Sequence, residues 1–375
     1  MVATKDHIKV IISGGGTGGH IYPAIAIADA LKDLAPATKV LFVGAEGKME
    51  MEKVPQAGYE IKALPVSGIQ RRLTLKNLLF PFKLWKSMQE AGQIINEFTP
   101  DVVVGVGGYA SGPVLKKAQG KKIPTLIQEQ NGYAGLTNKW LAAKADKICV
   151  AYPNMEKYFP AEKLLFLGNP VRKDIAGELD KHTAMEYFQL RPDRPVVLAV
   201  GGSLGARTIN NALLKNYQSL LAQGIQVIWQ TGKFYAKEIQ KAVGLEKKEG
   251  LWVNDFINRM DLAYTCADVV VSRAGALSIS ELCLAEKPAV LVPSPNVAED
   301  HQTKNAQALE REGAAILLPD HEAENKLFEV VKTLMEDEEK RNQMSNNISK
   351  LAKPHAAKDI AKEIFNLTSY KMQMA

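Results

Sequence analysis

The chain has 375 residues, of which 46% are apolar and 23% charged, the composition of a soluble globular protein with two or three domains. Its formal net charge of +6 fits anionic small molecules or an anionic membrane surface and is too small to predict nucleic-acid binding. Three widely spaced cysteines exclude a disulfide framework. No run approaches the roughly 18 apolar residues of a membrane-spanning helix, so we expect a protein of the cytosol or of a membrane surface.

The first predicted unit is a buried strand, a glycine-rich turn and a helix. β-Branched residues from Ile8 to Ile12 predict a parallel strand, and apolar residues from Ile21 to Leu31 recur at helical spacing. The turn, GGGTGGH, should leave N–H groups facing an anion or sugar hydroxyls. His20 ends this turn, where the positive helix end disfavours a protonated imidazole. We therefore expect a neutral His20 that can act as a general base.

The same turn also matches the dinucleotide-binding pattern G-x-G-x-x-G at Gly14, Gly16 and Gly19. In that pattern an acidic residue ends the second strand, whereas Glu46 lies beyond the predicted strand 39–43. An NAD(P)-dependent Rossmann oxidoreductase therefore stays an alternative function. A protein that binds a nucleotide sugar without catalysis, or a turn that serves packing alone, is also possible at this point.

Strand-like and helical stretches alternate along the chain, which predicts parallel sheets with helices on both faces. The leading motif occurs twice, because a predicted strand at 195–200 is followed by GGSLGAR and a second helical pattern. We predict two Rossmann-like domains, residues 1–168 and 169–353, and a last helix within 354–375 that packs back on the first. The remaining predicted strands are 101–106, 124–128, 147–150, 226–230, 251–253, 268–272 and 289–293.

The second half contains the clearest phosphate site, in the sequence SRAGALSISE. Gly275 permits a tight turn, and the N–H groups of Ala276, Leu277 and Ser278 begin a helix that can hold a diphosphate. Glu281 lies one turn further on, where a carboxylate can accept hydrogen bonds from both hydroxyls of a ribose. The alternative is that Glu281 only complements the helix dipole.

Other loops follow predicted strands and should converge on the same crevice. Ser203 offers a second phosphate contact, Ile257 a backbone amide for a planar base, and Gln302 a contact to sugar hydroxyls. In the first half these loops are residues 105–113 and 129–140. The chain has neither an Asp-x-Asp pair nor HExxH, so we expect no metal and no cofactor.

Residues 68–98 differ in character, because large apolar side chains alternate there with cations. The residues concerned are Leu79, Phe82, Lys83, Trp85 and Lys86. Such a mixture suits a segment that lies on an anionic membrane surface. An ordinary helix with solvated lysines is the alternative, and Pro81 leaves open whether the aromatic residues share a helix face.

Six motifs resemble, in the same order, the peptidoglycan N-acetylglucosaminyltransferases of the MurG family, over nearly the whole chain. These motifs are GGGTGGHIYPAIAIADAL, GVGGYASGP, EQNGYAGLTNKWL, GNPVR, GGSLGAR and SRAGALSISEL. The resemblance implies an α/β fold of the GT-B type, with two Rossmann-like domains whose parallel sheets face a central cleft. It also implies an inverting transfer of GlcNAc from UDP-GlcNAc to lipid I, giving lipid II, at the cytoplasmic face of the plasma (inner) membrane.

The resemblance further implies roles for individual residues. Donor contacts fall on Thr17, Gly18, Gly19, Asn131, Arg172, Ser203, Ile257, Ala276, Leu277, Ser278, Ile279, Ser280, Glu281 and Gln302. Acceptor contacts fall on Gly14, Gly15, Gly16, Gly107, Gly108, Tyr109 and Glu129. His20 is the candidate catalytic base, and Glu129 is the next candidate. Family members usually have Gln after GGS, whereas this chain has Leu204, so only backbone contacts are expected there.

Overall fold

The computed structural model describes residues 7–66, 80–172, 175, 179–244, 248–297 and 300–368. The chain divides into two units, Met1–Arg172 together with His355–Ala375, and Lys173–Pro354. Each unit contains one parallel sheet covered by helices. The prediction of two parallel-sheet α/β domains is therefore confirmed.

The first unit contains a seven-stranded parallel sheet in the order β3-β2-β1-β4-β5-β6-β7. Its strands are β1 (Lys9–Ser13), β2 (Lys39–Ala45), β3 (Glu60–Leu64), β4 (Val102–Gly105), β5 (Thr125–Glu129), β6 (Lys147–Val150) and β7 (Leu164–Phe166). The order reverses at β1, which pairs with β2 on one side and β4 on the other. Ligands of such sheets bind outside the carboxyl end of the strand at this reversal.

Helices cover both faces of the first sheet. They are α1 (Gly18–Leu34), α2 (Glu50–Gln56), α3 (Phe80–Phe98), α4 (Ser111–Gly120), α5 (Leu136–Ala142) and the carboxy-terminal helix Ala356–Asn366. On one face, Ile95 of α3, Leu115 of α4 and Leu141 of α5 share a buried core. On the other face, Leu31 of α1 packs with Ile364 of the carboxy-terminal helix, so the end of the chain belongs to the first core.

The second unit repeats this arrangement with six parallel strands in the order β10-β9-β8-β11-β12-β13. Its strands are β8 (Val196–Val200), β9 (Gln226–Gln230), β10 (Leu251–Asn254), β11 (Val269–Ser272), β12 (Ala289–Leu291) and β13 (Ala315–Leu317). Its helices are α6 (Lys181–Phe188), α7 (Arg207–Ala222), α8 (Ala236–Val243), α9 (Met260–Cys266), α10 (Ala276–Leu284), α11 (His301–Arg311), α12 (Asp320–Glu336) and α13 (Glu338–Ser349). The strand before the second glycine turn, β8, again lies at the reversal.

Three strands, β3, β7 and β13, were not predicted from the sequence. All three lie at a sheet edge, where one side of the strand faces solvent. Residues Glu60 to Leu64 consequently mix charged and apolar side chains, and four of the five are exposed or half-buried. A continuous apolar run is typical only of strands that are covered on both faces. Within the part of the chain that the structure describes, no helix is both long and apolar enough to cross a bilayer.

Candidate active site

The glycine turn after β1 packs directly on the loop that follows β4. The N–H of Gly15 donates to the carbonyl of Gly107 at 3.3 Å. A Cβ on Gly108 would clash with the backbone of Gly15, and both loop glycines have positive φ values, 92° and 85°. Only glycine permits this close approach. The structure thus brings together the two glycine segments that we predicted as acceptor contacts, with Tyr109 beside them and 55% exposed.

The buried carboxylate of Glu50, at the start of α2, holds the other side of this turn. One oxygen accepts from the N–H of Gly16 at 2.8 Å, and the other accepts from the N–H of Ala45 at 3.0 Å. The N–H groups of Gly14 and Gly15 also have acceptors within the protein. The expectation that this turn offers free N–H groups to an anion is therefore wrong for these three glycines. A dinucleotide phosphate there would also face a buried negative charge, which argues against the oxidoreductase alternative.

His20 lies at the start of α1 with its Nδ1 atom 3.0 Å from the carbonyl oxygen of Gly15 and 3.3 Å from the hydroxyl of Thr17. Because a carbonyl can only accept, this contact assigns the proton to Nδ1 and leaves Nε2 as the basic nitrogen. Burial lowers the pKa of His20, and this effect outweighs the charges of Glu129 and Glu50 and the Gly15 hydrogen bond, which raise it. The expected neutral imidazole thus results mainly from desolvation.

Glu129, at the end of β5, is 2% exposed and accepts hydrogen bonds from its own loop. Its partners are the N–H of Gly135 at 3.0 Å, the amide of Asn138 at 2.8 Å and the N–H of Asn131 at 3.2 Å. Both carboxylate oxygens are used in this way. The carboxylate of Glu129 therefore orders the loop that carries Asn131, while its role as an acceptor contact or alternative base stays a prediction.

A buried network of side-chain amides next to the loop after β5 was not predicted from the sequence. The amide of Gln128 donates to Asn169 at 3.2 Å, and Asn169 in turn donates to the carbonyl of Gln130 at 3.1 Å. Asn169 belongs to the GNPVR motif, so the network ties that motif to the end of β5. Arg172 ends the same motif, and its guanidinium lies 5.4 Å from the ring centre of Tyr22 on α1.

The glycine turn after β8 in the second unit is also interlocked with a neighbouring loop. A Cβ on Gly232 would clash with Gly205, which has a φ of 90°. The carbonyl of Ser203 accepts from the N–H of Lys233 at 3.1 Å, and Leu204 is 51% exposed. Arg207 is the first residue of α7, and its guanidinium carbon lies 5.9 Å from the Tyr235 ring centre. This turn therefore carries a cation at its helix start.

The predicted donor segment forms the first two turns of α10, with Gly275 before its first residue. The hydroxyl of Tyr264, which is 4% exposed, donates to a carboxylate oxygen of Glu281 at 3.1 Å. Ala276 and Ile279 are buried in the core, so they can offer a ligand only main-chain atoms. Tyr264 was not predicted as a site residue.

Two predicted donor contacts already have partners inside the second unit. The N–H of Ile257 donates to the Gln230 side chain at 2.9 Å, so the predicted backbone amide is occupied and the carbonyl of Ile257 is the remaining main-chain group. The side-chain oxygen of Gln302 accepts from the N–H of Ser294 at 2.9 Å. The NH₂ group of Gln302 therefore points away from Ser294. Among the residues that the structure describes, no three His, Cys, Asp or Glu side chains cluster as a metal site.

The candidate membrane residues lie at the start of α3. Phe82 and Trp85 are 64% and 59% exposed, and their ring centres are 6.2 Å apart. Pro81 is the second residue of the helix, a position that tolerates proline, so the helix continues through this segment. Lys83 and Lys86, the residues that follow Phe82 and Trp85 in the sequence, are also exposed. Leu79 lies outside the described residues.

Comparisons with known proteins identify the family. The glycosyltransferase family 28 N-terminal domain matches residues 10–150, and the C-terminal domain of that family matches residues 196–364. The chain is 30% identical to the protein in the crystal structure of Acinetobacter baumannii MurG, with a TM-score of 0.72 and coverage of 96% of this chain and 99% of that one. The fold is therefore of the GT-B glycosyltransferase type.

Two curated relatives are named UDP-N-acetylglucosamine–N-acetylmuramyl-(pentapeptide) pyrophosphoryl-undecaprenol N-acetylglucosamine transferase. The relative from Bacteroides fragilis is 54% identical over 365 residues, 96% of each chain. That from Flavobacterium psychrophilum is 52% identical over 363 residues, 96% of this chain and 98% of its own. With these matches along nearly its whole length, the chain belongs to glycosyltransferase family 28 and, within it, to the MurG family of N-acetylglucosaminyltransferases.

Proposed function

We propose that this enzyme transfers GlcNAc from UDP-GlcNAc to the C4 hydroxyl of the muramoyl-pentapeptide of lipid I, giving lipid II for peptidoglycan synthesis. The names of its relatives supply the substrates. The observation in the structure that supports the chemistry best is the placement of His20, whose Nδ1 atom lies 3.0 Å from the Gly15 carbonyl oxygen beside the interlocked loops of Gly15 and Gly107. A reaction that deprotonates one sugar hydroxyl needs one such base.

The transfer is one inverting displacement, because an α-linked donor gives a β-linked product. The C4 oxygen of the acceptor forms a bond to the anomeric carbon as the bond from that carbon to the diphosphate oxygen breaks. UDP leaves with the electron pair of the broken bond, and Nε2 of His20 takes the hydroxyl proton. No covalent intermediate on the enzyme is required.

The second unit supplies the donor site in this proposal. Glu281 accepts hydrogen bonds from the ribose hydroxyls, and the Tyr264 hydroxyl orients the carboxylate for that contact. The main-chain N–H groups at the start of α10 stabilise the charge that develops on the diphosphate, with help from Ser203. The carbonyl of Ile257 accepts a hydrogen bond from the uracil base of the donor, and the NH₂ group of Gln302 donates to the sugar of the donor.

The first unit supplies the membrane contact, since lipid I cannot leave the bilayer. Phe82 and Trp85 present apolar rings to solvent next to Lys83 and Lys86, a combination that suits the interface of anionic lipid. On α5, the exposed side chains of Leu136 and Trp140, with the Lys116 ammonium 4.8 Å from the Trp140 ring centre, have the same character. We propose peripheral attachment at the cytoplasmic face of the plasma membrane.

The function is tested by mixing the purified chain with UDP-GlcNAc and a short-chain lipid I analogue. We expect release of UDP in equal amount with a disaccharide product, and no turnover with UDP-GlcNAc alone. Thermal stabilisation by UDP-GlcNAc should exceed that by UDP-glucose, while NADH and NADPH should have no effect. Stabilisation by a nicotinamide nucleotide, or donor binding without product, would replace this proposal with one of the alternatives.

A further inference from the structure

The peptide bond between Gly15 and Gly16 is hydrogen-bonded at both of its polar ends. Its carbonyl oxygen accepts from Nδ1 of His20 at 3.0 Å. Its N–H donates to a carboxylate oxygen of Glu50 at 2.8 Å. A single amide group thus separates a buried carboxylate from the imidazole of the candidate base.

Hydrogen bonds at the two ends of one amide reinforce each other. A carboxylate that accepts from the N–H of Gly16 polarises the peptide group and shifts its electron density onto the carbonyl oxygen of Gly15. That oxygen becomes a stronger hydrogen-bond acceptor. That stronger acceptor favours the proton on Nδ1 of His20 and leaves Nε2 as the lone-pair nitrogen. The hydrogen bond to the ionised carboxylate is also of the stronger, charge-assisted kind.

The surroundings of Glu50 are shaped to admit its carboxylate. A Cβ on Gly15 or on Gly44 would clash with the Glu50 side chain, so glycine at both positions makes room for it. The side chain is 1% exposed, and its second oxygen is held by the N–H of Ala45 at 3.0 Å. A buried carboxylate is stable only when such hydrogen bonds compensate its lost hydration.

We propose that Glu50 is a positioning residue for the transfer reaction, acting on His20 through the Gly15–Gly16 peptide. It keeps the imidazole in the tautomer with a basic Nε2 and fixes the ring toward Gly107. The inference about catalysis rests on the proposed role of His20 as base. The coupling between Glu50 and His20 can be observed without any substrate.

The first measurement uses the unmodified chain without ligands. Nitrogen-15 NMR of His20, assigned among the six histidines by its loss in His20→Ala, reports which ring nitrogen carries the proton. We expect the proton on Nδ1. A neutral His20 with its proton on Nε2 would overturn the proposal, whatever any variant does.

The second measurement titrates His20 in Glu50→Gln. The charged groups acting on His20 are Glu129 at the end of β5 and Glu50 on α2, and both favour the protonated ring. Removing the Glu50 charge should therefore move the His20 titration to lower pH and reduce the population protonated on Nδ1. The matched control is Asp101→Asn, because Asp101 accepts from the N–H of Lys9 at 2.8 Å, at the opposite end of β1. That control should leave the His20 titration in place.

The same variants are then assayed for transfer. We expect Glu50→Gln to lower kcat by about tenfold, to shift the acidic limb of the kcat–pH profile to lower pH, and to leave the KM for UDP-GlcNAc unchanged. Glu50→Asp keeps the charge but is too short for both N–H groups, so its kcat and titration should lie between those of the wild type and Glu50→Gln. It also serves if the glutamine variant does not fold.

The outcomes separate this inference from the proposed function. A loss of kcat in Glu50→Gln or Glu50→Asp with an unmoved His20 titration and tautomer would make Glu50 a purely structural residue. A moved titration together with a fully active His20→Ala would uphold the coupling and reject His20 as the base. A moved titration together with the expected kcat loss and an inactive His20→Ala supports both.

Discussion

The glycine turns after β1 and β8 occupy the same place in their sheets and carry opposite charges. A buried carboxylate, Glu50, accepts from the N–H of Gly16 in the first turn, and His20 follows it. The second turn is followed by Arg207, the first residue of α7. The strand, turn and helix form a common scaffold in both units. We propose that the side chain that reaches each turn decides whether the turn holds a base or binds an anion.

The largest expected effect comes from a substitution at the glycine turn after β1. We expect His20→Ala to lower kcat by about 10²–10⁴ with little change in the KM for UDP-GlcNAc, because a general base contributes that much and the proposed ribose and diphosphate contacts lie in the second unit. Steady-state UDP release measures both constants. His182→Ala is the control, since its side chain is 65% exposed in the second unit. A loss below tenfold would give His20 a positioning role only.

The next effect concerns the donor site of the second unit. Glu281→Ala should raise the KM for UDP-GlcNAc by roughly 10- to 150-fold, equivalent to about 1.5–3 kcal/mol for hydrogen bonds to a charged group. Its kcat should change little, in contrast to His20→Ala. Glu324→Ala, which removes an exposed carboxylate of α12, provides the control. An unchanged KM in a folded Glu281→Ala would contradict the assigned ribose contact.

The two units should also differ in membrane binding. Exchanging Lys83 and Lys86 for Glu should weaken binding to vesicles of anionic lipid by at least tenfold, since each cation near such a surface contributes about 1 kcal/mol. Replacing Phe82 and Trp85 by Ser should also reduce binding. Phe234→Ser is the matched control, because Phe234 is 70% exposed but belongs to the second unit.

Two results would decide whether the start of α3 binds the membrane. Activity on a water-soluble acceptor should survive all of these substitutions, since the residues lie outside the proposed reaction site. Normal vesicle binding by the α3 variants, or an equal loss in Phe234→Ser, would mean that the membrane face lies elsewhere.

The smallest effect refines the donor site. Tyr264→Phe removes the hydroxyl that donates to Glu281, so we expect a KM increase of roughly fivefold, corresponding to a single net hydrogen bond of about 1 kcal/mol. Tyr217→Phe is the control, because Tyr217 is also buried in the second unit and its hydroxyl contacts Gln218. Equal KM values for the two variants would show that Tyr264 does not orient the carboxylate.

Local sequence pattern was sufficient for the central part of both sheets. Strands such as β4 and β11 are covered on both faces, and their uninterrupted runs of valine predict them. The glycine turns were visible for a similar reason, because only glycine fits the backbone contacts at Gly108 and Gly205. The positions of His20 and Glu281 followed from their distance to those turns.

The sequence by itself thus determined two parallel-sheet domains, their leading glycine turns and the residues within one turn of them. Only the tertiary structure decided what those residues contact. Glu50 reaches Gly16 across 34 positions, Gln230 reaches Ile257 across 27, and Gln128 reaches Asn169 across 41. No local periodicity encodes such pairs, because folding brings the ends of different strands together at one edge of a sheet. The charge and hydrogen-bond partners of each turn therefore appear only when the sheet is assembled.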